Sequence, residues 1–126
     1  MSRTWVGVVL LALLLILGIV SVLGIHSPLD TIATKLETAS TLALAGSVAD
    51  GAEAVREALR LWTSVRNAIA AFTDHDPLER IDAGFALLEL YTAMEDTRNF
   101  SVVCLELSMQ IRAVGDAHRI RWWNIL

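Results

Sequence analysis

The sequence predicts an all-α protein, in which an N-terminal transmembrane helix is followed by an antiparallel up-down-up-down four-helix bundle. Three observations predict this class. Residues 5–25 form an apolar run without a charged residue. Behind it, four segments carry apolar residues at the 3-4 spacing of amphipathic helices, and none alternates like a strand. The breaks between these segments span about 4–6 residues, which is typical of antiparallel neighbouring helices.

Composition leaves room for one small domain and an anchor in 126 residues. Arg3 is the only charged residue among the first 29, and the remainder carries 9 basic against 14 acidic residues. This mild acidity argues against nucleic acid as a partner. The single cysteine, Cys104, excludes an internal disulfide framework.

The apolar run predicts a transmembrane anchor over residues 1–26, since a bilayer core needs roughly 20 apolar residues in a helix. A secretory signal has a shorter apolar core of roughly 7–15 residues and a small-residue cleavage site. The best such site, Val22-Leu23-Gly24, has no alanine at either key position. A cleaved signal peptide and a buried helix are the alternatives. Trp5 fits the aromatic position at a membrane interface.

Orientation follows from the basic residues on either side of the run. Arg3 precedes it, whereas the first basic residue after it is Lys35. The positive-inside bias therefore predicts a cytoplasmic N-terminus and an extracytoplasmic bundle over residues 27–126. The expected location is the cell membrane, with a single pass.

The first bundle helix is predicted over residues 28–45, because Ser27 can cap it and Pro28 suits its first position. Gly46 and Gly51 are expected to bracket the next turn. The second helix then follows Asp50 as a cap and extends to Phe72. The apolar face of the first helix comprises Leu29, Ile32, Leu36, Ala39 and Ala43, and that of the second Val55, Ala58, Trp62, Val65, Ile69 and Phe72.

The third helix is predicted over residues 77–95, with Asp76 as its cap and Pro77 at its first position. Asp96 opens a short polar break before a fourth helix over residues 100–121. The third apolar face comprises Leu78, Ile81, Phe85, Leu88 and Tyr91, widened by Leu87, Leu90 and Met94. The fourth comprises Phe100, Val103, Leu107, Ile111 and Val114.

Four antiparallel helices bring the loop at residues 73–77 and the C-terminus to the membrane-proximal end. Trp122 and Trp123, preceded by Arg119 and Arg121, resemble an interfacial belt of aromatic and basic residues. Alternatively, the two indoles cover the open end of the bundle. A further hypothesis is that the terminal residues Asn124, Ile125 and Leu126 dock against the loop of His75.

Several of these residues resemble an uncharacterised family, a domain of unknown function. Its members are short, N-terminally membrane-anchored helical proteins of clostridial-type Gram-positive bacteria. The resemblance rests on Trp62, on His75 within TDHDPLERID, on Ile81-Asp82 and on the ending Asn124-Ile125-Leu126. It implies a cell-envelope location and no known activity. The chain departs from the family in being rich in alanine and arginine instead of lysine.

The ionisable residues offer little chemistry. His75 lies between two aspartates and close to Asp82, so a metal site is conceivable, but capping of a helix is the simpler interpretation. No Glu-x-x-His motif of a di-metal bundle occurs. Cys104 and Trp62 are expected in the core, and His118 near a helix C-terminus. The sequence therefore predicts no catalytic residue, no metal and no cofactor.

These observations favour an interaction or scaffolding protein of the cell envelope that is not an enzyme. Its partners would be the membrane, through residues 5–25, and an envelope protein. The candidate surface comprises His75, Asp82 and the five terminal residues Trp122, Trp123, Asn124, Ile125 and Leu126, with Trp62 as a core residue. The alternative is a ligand- or metal-binding sensor module that signals through the anchor by way of a partner.

Overall fold

A computed structural model describes residues 2–71 and 73–125, with side chains described for residues 3–19, 28–71 and 73–117. Within these ranges the backbone forms four α-helices and no strand. They are α1 (Ser2–Leu44), α2 (Val48–Ala70), α3 (His75–Ala93) and α4 (Thr97–Ile125). The chain is therefore all-α over the part described, in keeping with its helical spacing.

Helix α1 is one continuous helix, in which Pro28 occupies an interior position. The expected helix start at Ser27 and Pro28 is therefore wrong. Proline removes a single amide donor from the helical ladder. The turns that follow it are held by the burial of Leu29 and Ile32. The predicted anchor and the predicted first bundle helix are thus two halves of one element.

In the described residues, no helix combines the length and the apolarity that crossing a membrane requires. This overturns the predicted transmembrane anchor over residues 1–26. The expected single-pass location in the cell membrane, with an extracytoplasmic bundle, is overturned with it.

The second half of α1 packs with α2, α3 and α4 in a ring, in which each helix contacts the next and α4 returns to α1. Ion pairs show which residues of neighbouring helices lie at the same level along the bundle axis. Lys35 of α1 meets Glu57 of α2, and Arg66 of α2 meets Asp82 of α3. Arg112 of α4 meets Asp30 in the second half of α1. Since the connections between successive helices are short, the neighbours are antiparallel, and the first half of α1 extends beyond the end where α2 meets α3.

The core lies along the axis of this ring. Its largest fully buried side chain is Trp62, and Phe100 follows it. Most residues of the four predicted apolar faces are buried, namely Leu29, Ile32, Leu36, Ala39, Ala43, Val55, Ala58, Trp62, Leu78, Ile81, Phe85, Leu88, Phe100, Leu107, Ile111 and Val114. Val65, Ile69, Tyr91 and Val103 pack against them at the edge. Phe72 lies outside the described residues.

The turn between α1 and α2 ends the first helix with a left-handed residue. Gly46 has φ +99°, and the amide of Ser47 donates to the carbonyl of Leu42 at 3.0 Å. This glycine closes the helix as a C-cap. Gly51, in contrast, does not bracket the turn, because α2 already begins at Val48. It lies where α2 approaches the backbone of α1.

The other two turns also differ from expectation by a few residues. Helix α3 begins at His75, with Asp74 in the cap position, so Pro77 occupies the first turn and not the first residue. Glu95, in the turn after α3, has a left-handed backbone with φ +54°. The carboxylate of Asp96 accepts a bond from the amide of Asn99 at 3.2 Å. This cap starts α4 earlier than the apolar spacing alone suggested.

The ion pair between α1 and α2 predicts a pH-dependent contribution to stability. Lys35 donates a hydrogen bond to Glu57 at 2.8 Å. That bond, together with the lysine charge, lowers the pKa of the Glu57 carboxyl below its ordinary 4.5. A lowered folded-state pKa stabilises the fold above the unfolded-state pKa, and this stabilisation is lost as pH falls through the folded-state value.

We therefore expect Glu57→Gln to be slightly less stable than the parent at pH 7. Glu57 is exposed, so the difference should be small. Urea unfolding of both proteins at pH 7 and at pH 3 measures it. The two curves should converge at the lower pH, and a stability difference of equal size at both pH values would contradict the assignment.

Candidate functional site

A polar cluster joins α2 to α3 at the edge of the core. The indole Nε1 of Trp62 donates to Asp82 Oδ1 at 2.8 Å. The guanidinium of Arg66 donates through Nε to Asp82 Oδ2, also at 2.8 Å. One carboxylate thus accepts bonds from two side chains that lie one turn apart on α2.

The cluster arises because an amphipathic helix places residues four apart on one face. Trp62 is 1% exposed, so its N–H needs a partner inside the protein. Asp82 supplies that partner from the flank of α3 and remains partly open to solvent. Both carboxylate oxygens are occupied by side chains of the bundle. The arrangement fixes α2 to α3.

His75 stands at the start of α3 with an exposed side chain. Asp82 lies two turns further along the same helix and binds α2. No group of three or more histidine, cysteine, aspartate or glutamate residues in the described part of the chain could hold a metal ion. His75 and Asp82, which the sequence placed on one candidate surface, thus have different surroundings.

The loop before α3 and the later turns of α4 meet at one end of the bundle, as the antiparallel order predicts. A shallow pocket of about 300 Å³ lies between them. Its wall contains Thr73, Asp74, Pro77 and Arg80 on one side and Gln110, Ala113, Val114 and Ala117 on the other. The loop of His75 therefore does adjoin α4.

The backbone of α4 continues as a helix to Ile125. The side chains of His118, Arg119 and Arg121 lie outside the described residues, as do those of Trp122, Trp123, Asn124 and Ile125 and all of Leu126. The proposed aromatic belt and the proposed docking of the terminal residues stay predictions.

A second polar cluster, on the opposite side of the ring, was not anticipated. Arg112 of α4 donates to Glu37 Oε1 through two nitrogens, at 3.1 and 3.3 Å, and to Asp30 Oδ1 at 3.2 Å. Both carboxylates belong to α1 and lie about two turns apart. The partners are far apart in sequence, so only the paired spacing of Asp30 and Glu37 could have hinted at a shared cation.

Cys104 is fully buried in the core. Burial raises the pKa of its thiol to about 12. Since the thiolate is the reactive form, the native cysteine is chemically inert.

We therefore expect a maleimide reagent to leave Cys104 unmodified in the native protein and to label it fully in urea. Mass spectrometry of samples quenched along a denaturation series measures this. Labelling should rise together with the loss of helical circular dichroism. Fast labelling under native conditions would show that the core opens around α4 without global unfolding.

The most unusual surface is the first half of α1. Every described side chain from residue 3 to residue 19 is exposed. Its large apolar side chains range from Val9, at 43% exposed, to Trp5, at 71%. Residues 5–19 include no charged side chain, and the indole N–H of Trp5 is their only polar side-chain group. The helix is therefore apolar on every side over this length. A helix of that kind is normally buried on every side.

Comparisons with known proteins add no relative to this geometry. No protein-family model, no curated protein and no solved structure matches the chain. The resemblance carried by Trp62, His75, Ile81-Asp82 and the Asn-Ile-Leu ending therefore stays an expectation from the sequence.

Proposed function

We propose that this protein is a helical interaction module that presents the first half of α1 to a protein partner. The observation that carries the proposal is the exposure of the apolar side chains from residue 5 to residue 19. Single exposed apolar residues are ordinary, but a contiguous apolar surface of this extent typically marks an interaction site.

The bundle core is complete without the first half of α1, which supports this role. The core of the bundle is formed by the second half of α1 together with α2, α3 and α4, without any side chain from residues 3–19. Residues 3–19 are therefore not needed to complete that core. Their apolar surface is available for burial against another molecule.

The chemistry of the segment also indicates what kind of partner fits it. Burial of one leucine from water contributes about 1.5–3 kcal/mol. Several such side chains must be buried together to offset the roughly 4–15 kcal/mol that association costs. Because the segment is apolar on all sides, a partner must enclose it in a deep apolar groove or between several helices. Arg3, at the start of the segment, is its only charged side chain.

The proposal is tested by placing charges in the segment. Leu10→Asp combined with Leu14→Asp in the full chain puts two carboxylates among exposed leucines. The core contains neither residue, so the melting temperature of the bundle should be unchanged. A protein that is isolated from cells together with the parent chain should be lost with this variant.

The matched control is Leu90→Asp, because Leu90 of α3 is 51% exposed and equally apolar. The same partner should be retained with the control. Retention of that partner by the double variant, or its loss with both variants, would contradict the proposal.

A further inference from the structure

A second apolar surface lies on the outward face of α4. Val102, Leu105 and Met109 are 49%, 46% and 64% exposed. They follow each other at steps of three and four residues and so lie in one row along the helix. We call this row the α4 stripe. It lies opposite the side of α4 whose residues Phe100 and Leu107 are buried in the core.

Two opposite charges bracket the stripe. Arg98 lies one turn before Val102, and Asp116 lies two turns after Met109, both in line with the stripe. Both residues are exposed, and neither forms an ion pair with another described residue. They are separated by about 27 Å along the axis, at about 1.5 Å per residue.

The spacing of these positions along α4 is the same from both ends. From Arg98 the positions at steps of four and three are 98, 102, 105, 109, 112 and 116, and the steps read identically in reverse. A second copy turned end for end therefore places Arg98 opposite Asp116 and Leu105 opposite Met109. The same register places Val102 opposite Arg112, whose guanidinium is held by Asp30 and Glu37 of α1. A two-fold axis produces each of these pairs twice.

We propose that α4 pairs with α4 of a second copy of this chain, antiparallel, through the α4 stripe. Charge complementarity selects both the occupant and the direction. A parallel pair would place arginine against arginine and aspartate against aspartate, which is unfavourable. The interface is narrow, so the pair is expected to be weak and reversible.

The outward face of α3 offers a contrast. Leu87, Leu90 and Met94 also form an exposed apolar row. However, α3 ends at Ala93, so the acidic residues that follow Met94, Glu95 and Asp96, lie in the turn and do not continue the row on the helix. Self-pairing of α3 would thus gain apolar contact without the charge match, so α4 is the preferred face.

Glu106 introduces a small opposing effect. It is exposed and lies about 60° around the helix from the stripe, close to the proposed two-fold axis. The axis brings the two Glu106 carboxylates to the same side of the pair, where like charges repel. Glu106→Gln should therefore tighten the association. A variant that failed to fold would instead weaken it, so the two outcomes are distinguishable.

The test uses the full chain in two single variants, Leu105→Cys and Met109→Cys, carrying tags of different size. After mixing and mild oxidation, the expected product is a disulfide between unlike variants. The antiparallel register places position 105 opposite position 109 and holds two copies of the same position too far apart for a disulfide. Cys104 is buried and does not compete.

Charge variants in the same assay complete the test. Arg98→Asp in both chains should lower the yield of the mixed disulfide about tenfold, since two pairs become repulsive. Adding Asp116→Arg should restore the yield, and Asp116→Arg alone should lower it equally. Circular dichroism melting checks that each variant is folded, and a variant that fails this check is replaced by its counterpart at the other end.

Disulfides between like variants would overturn the antiparallel pair. A mixed disulfide whose yield is unchanged by the charge substitutions would also overturn it. Absence of any cross-link at high micromolar concentration would overturn the pair altogether. The α4 stripe is a different surface from residues 3–19, so the proposal does not depend on the proposed function.

Discussion

Asp82→Ala should lower the free energy of unfolding by about 2 kcal/mol. The substitution leaves the buried N–H of Trp62 without its acceptor, which costs about 1–3 kcal/mol. It also removes the ion pair with Arg66, which contributes less because Asp82 is 40% exposed. Urea unfolding followed by circular dichroism at 222 nm measures the change.

The coupling between Asp82 and Trp62 is isolated by a double-mutant cycle. Trp62→Phe keeps a ring in the core, but it removes the donor and leaves a void, so it should cost about 1–3 kcal/mol on its own. In that background Asp82→Ala should lose most of its effect, because no indole N–H remains to be satisfied. Glu89→Ala, on the exposed side of α3, serves as the control and should leave stability within about 0.5 kcal/mol. An equal cost of Asp82→Ala in both backgrounds would show that the indole bond does not hold α2 to α3.

Gly51→Ala should destabilise the bundle by about 1–3 kcal/mol, although alanine is normally the better helix former. A Cβ at this position would lie 2.9 Å from the carbonyl oxygen of Ala39 and 3.1 Å from Cε1 of Phe100. The oxygen belongs to the backbone of α1, so it cannot move without separating α1 from α2. Thermal and urea unfolding both report the effect.

Gly18→Ala is the matched control for this substitution. A Cβ at Gly18 would meet nothing within 4 Å. The control should therefore leave the unfolding of the bundle unchanged. A neutral or stabilising Gly51→Ala would mean that α1 and α2 pack less closely than the structure describes.

Both predictions depend on contacts that the sequence indicates only in part. Trp62 lies in the strict 3-4 spacing of its helix, and this spacing is sufficient to predict its burial. Its acceptor could not be predicted in the same way, because the choice of Asp82 depends on how α2 and α3 are rotated against each other. The same is true of Arg112, whose partners on α1 are distant along the chain.

Glycine and proline were less informative than their reputations as helix breakers suggest. Gly46 does end a helix, but Gly51 lies inside one and serves close packing. Pro28 likewise lies within α1. A local pattern cannot distinguish a residue that stops a helix from one that a neighbouring helix requires, since the difference lies in tertiary packing.

The outward apolar residues of α3 show a different limit. Leu87, Leu90 and Met94 were expected to widen the buried arc, but all three are exposed. A helix in a four-helix ring buries a single arc, and here Leu78, Ile81, Phe85 and Leu88 already fill it. Residues on the far side have no neighbour within the ring, whatever their hydrophobicity.

The first half of α1 is where the sequence misled most, because its apolar composition alone led to a membrane-spanning interpretation. No helix among the described residues meets the requirements for crossing a membrane. What the described side chains do establish is exposure on every side, from residue 3 to residue 19. The proposed role as an interaction module depends on this exposure being relieved by a protein.

Site-specific photo-cross-linking in cells tests whether a protein covers this half of α1. A photoreactive amino acid replaces Leu10 or Leu14, and Arg60 on the polar face of α2 provides the reference position. We expect one discrete protein adduct at positions 10 and 14 and none at position 60. Adducts with lipid alone at positions 10 and 14, or the same adducts at all three positions, would contradict the interaction module.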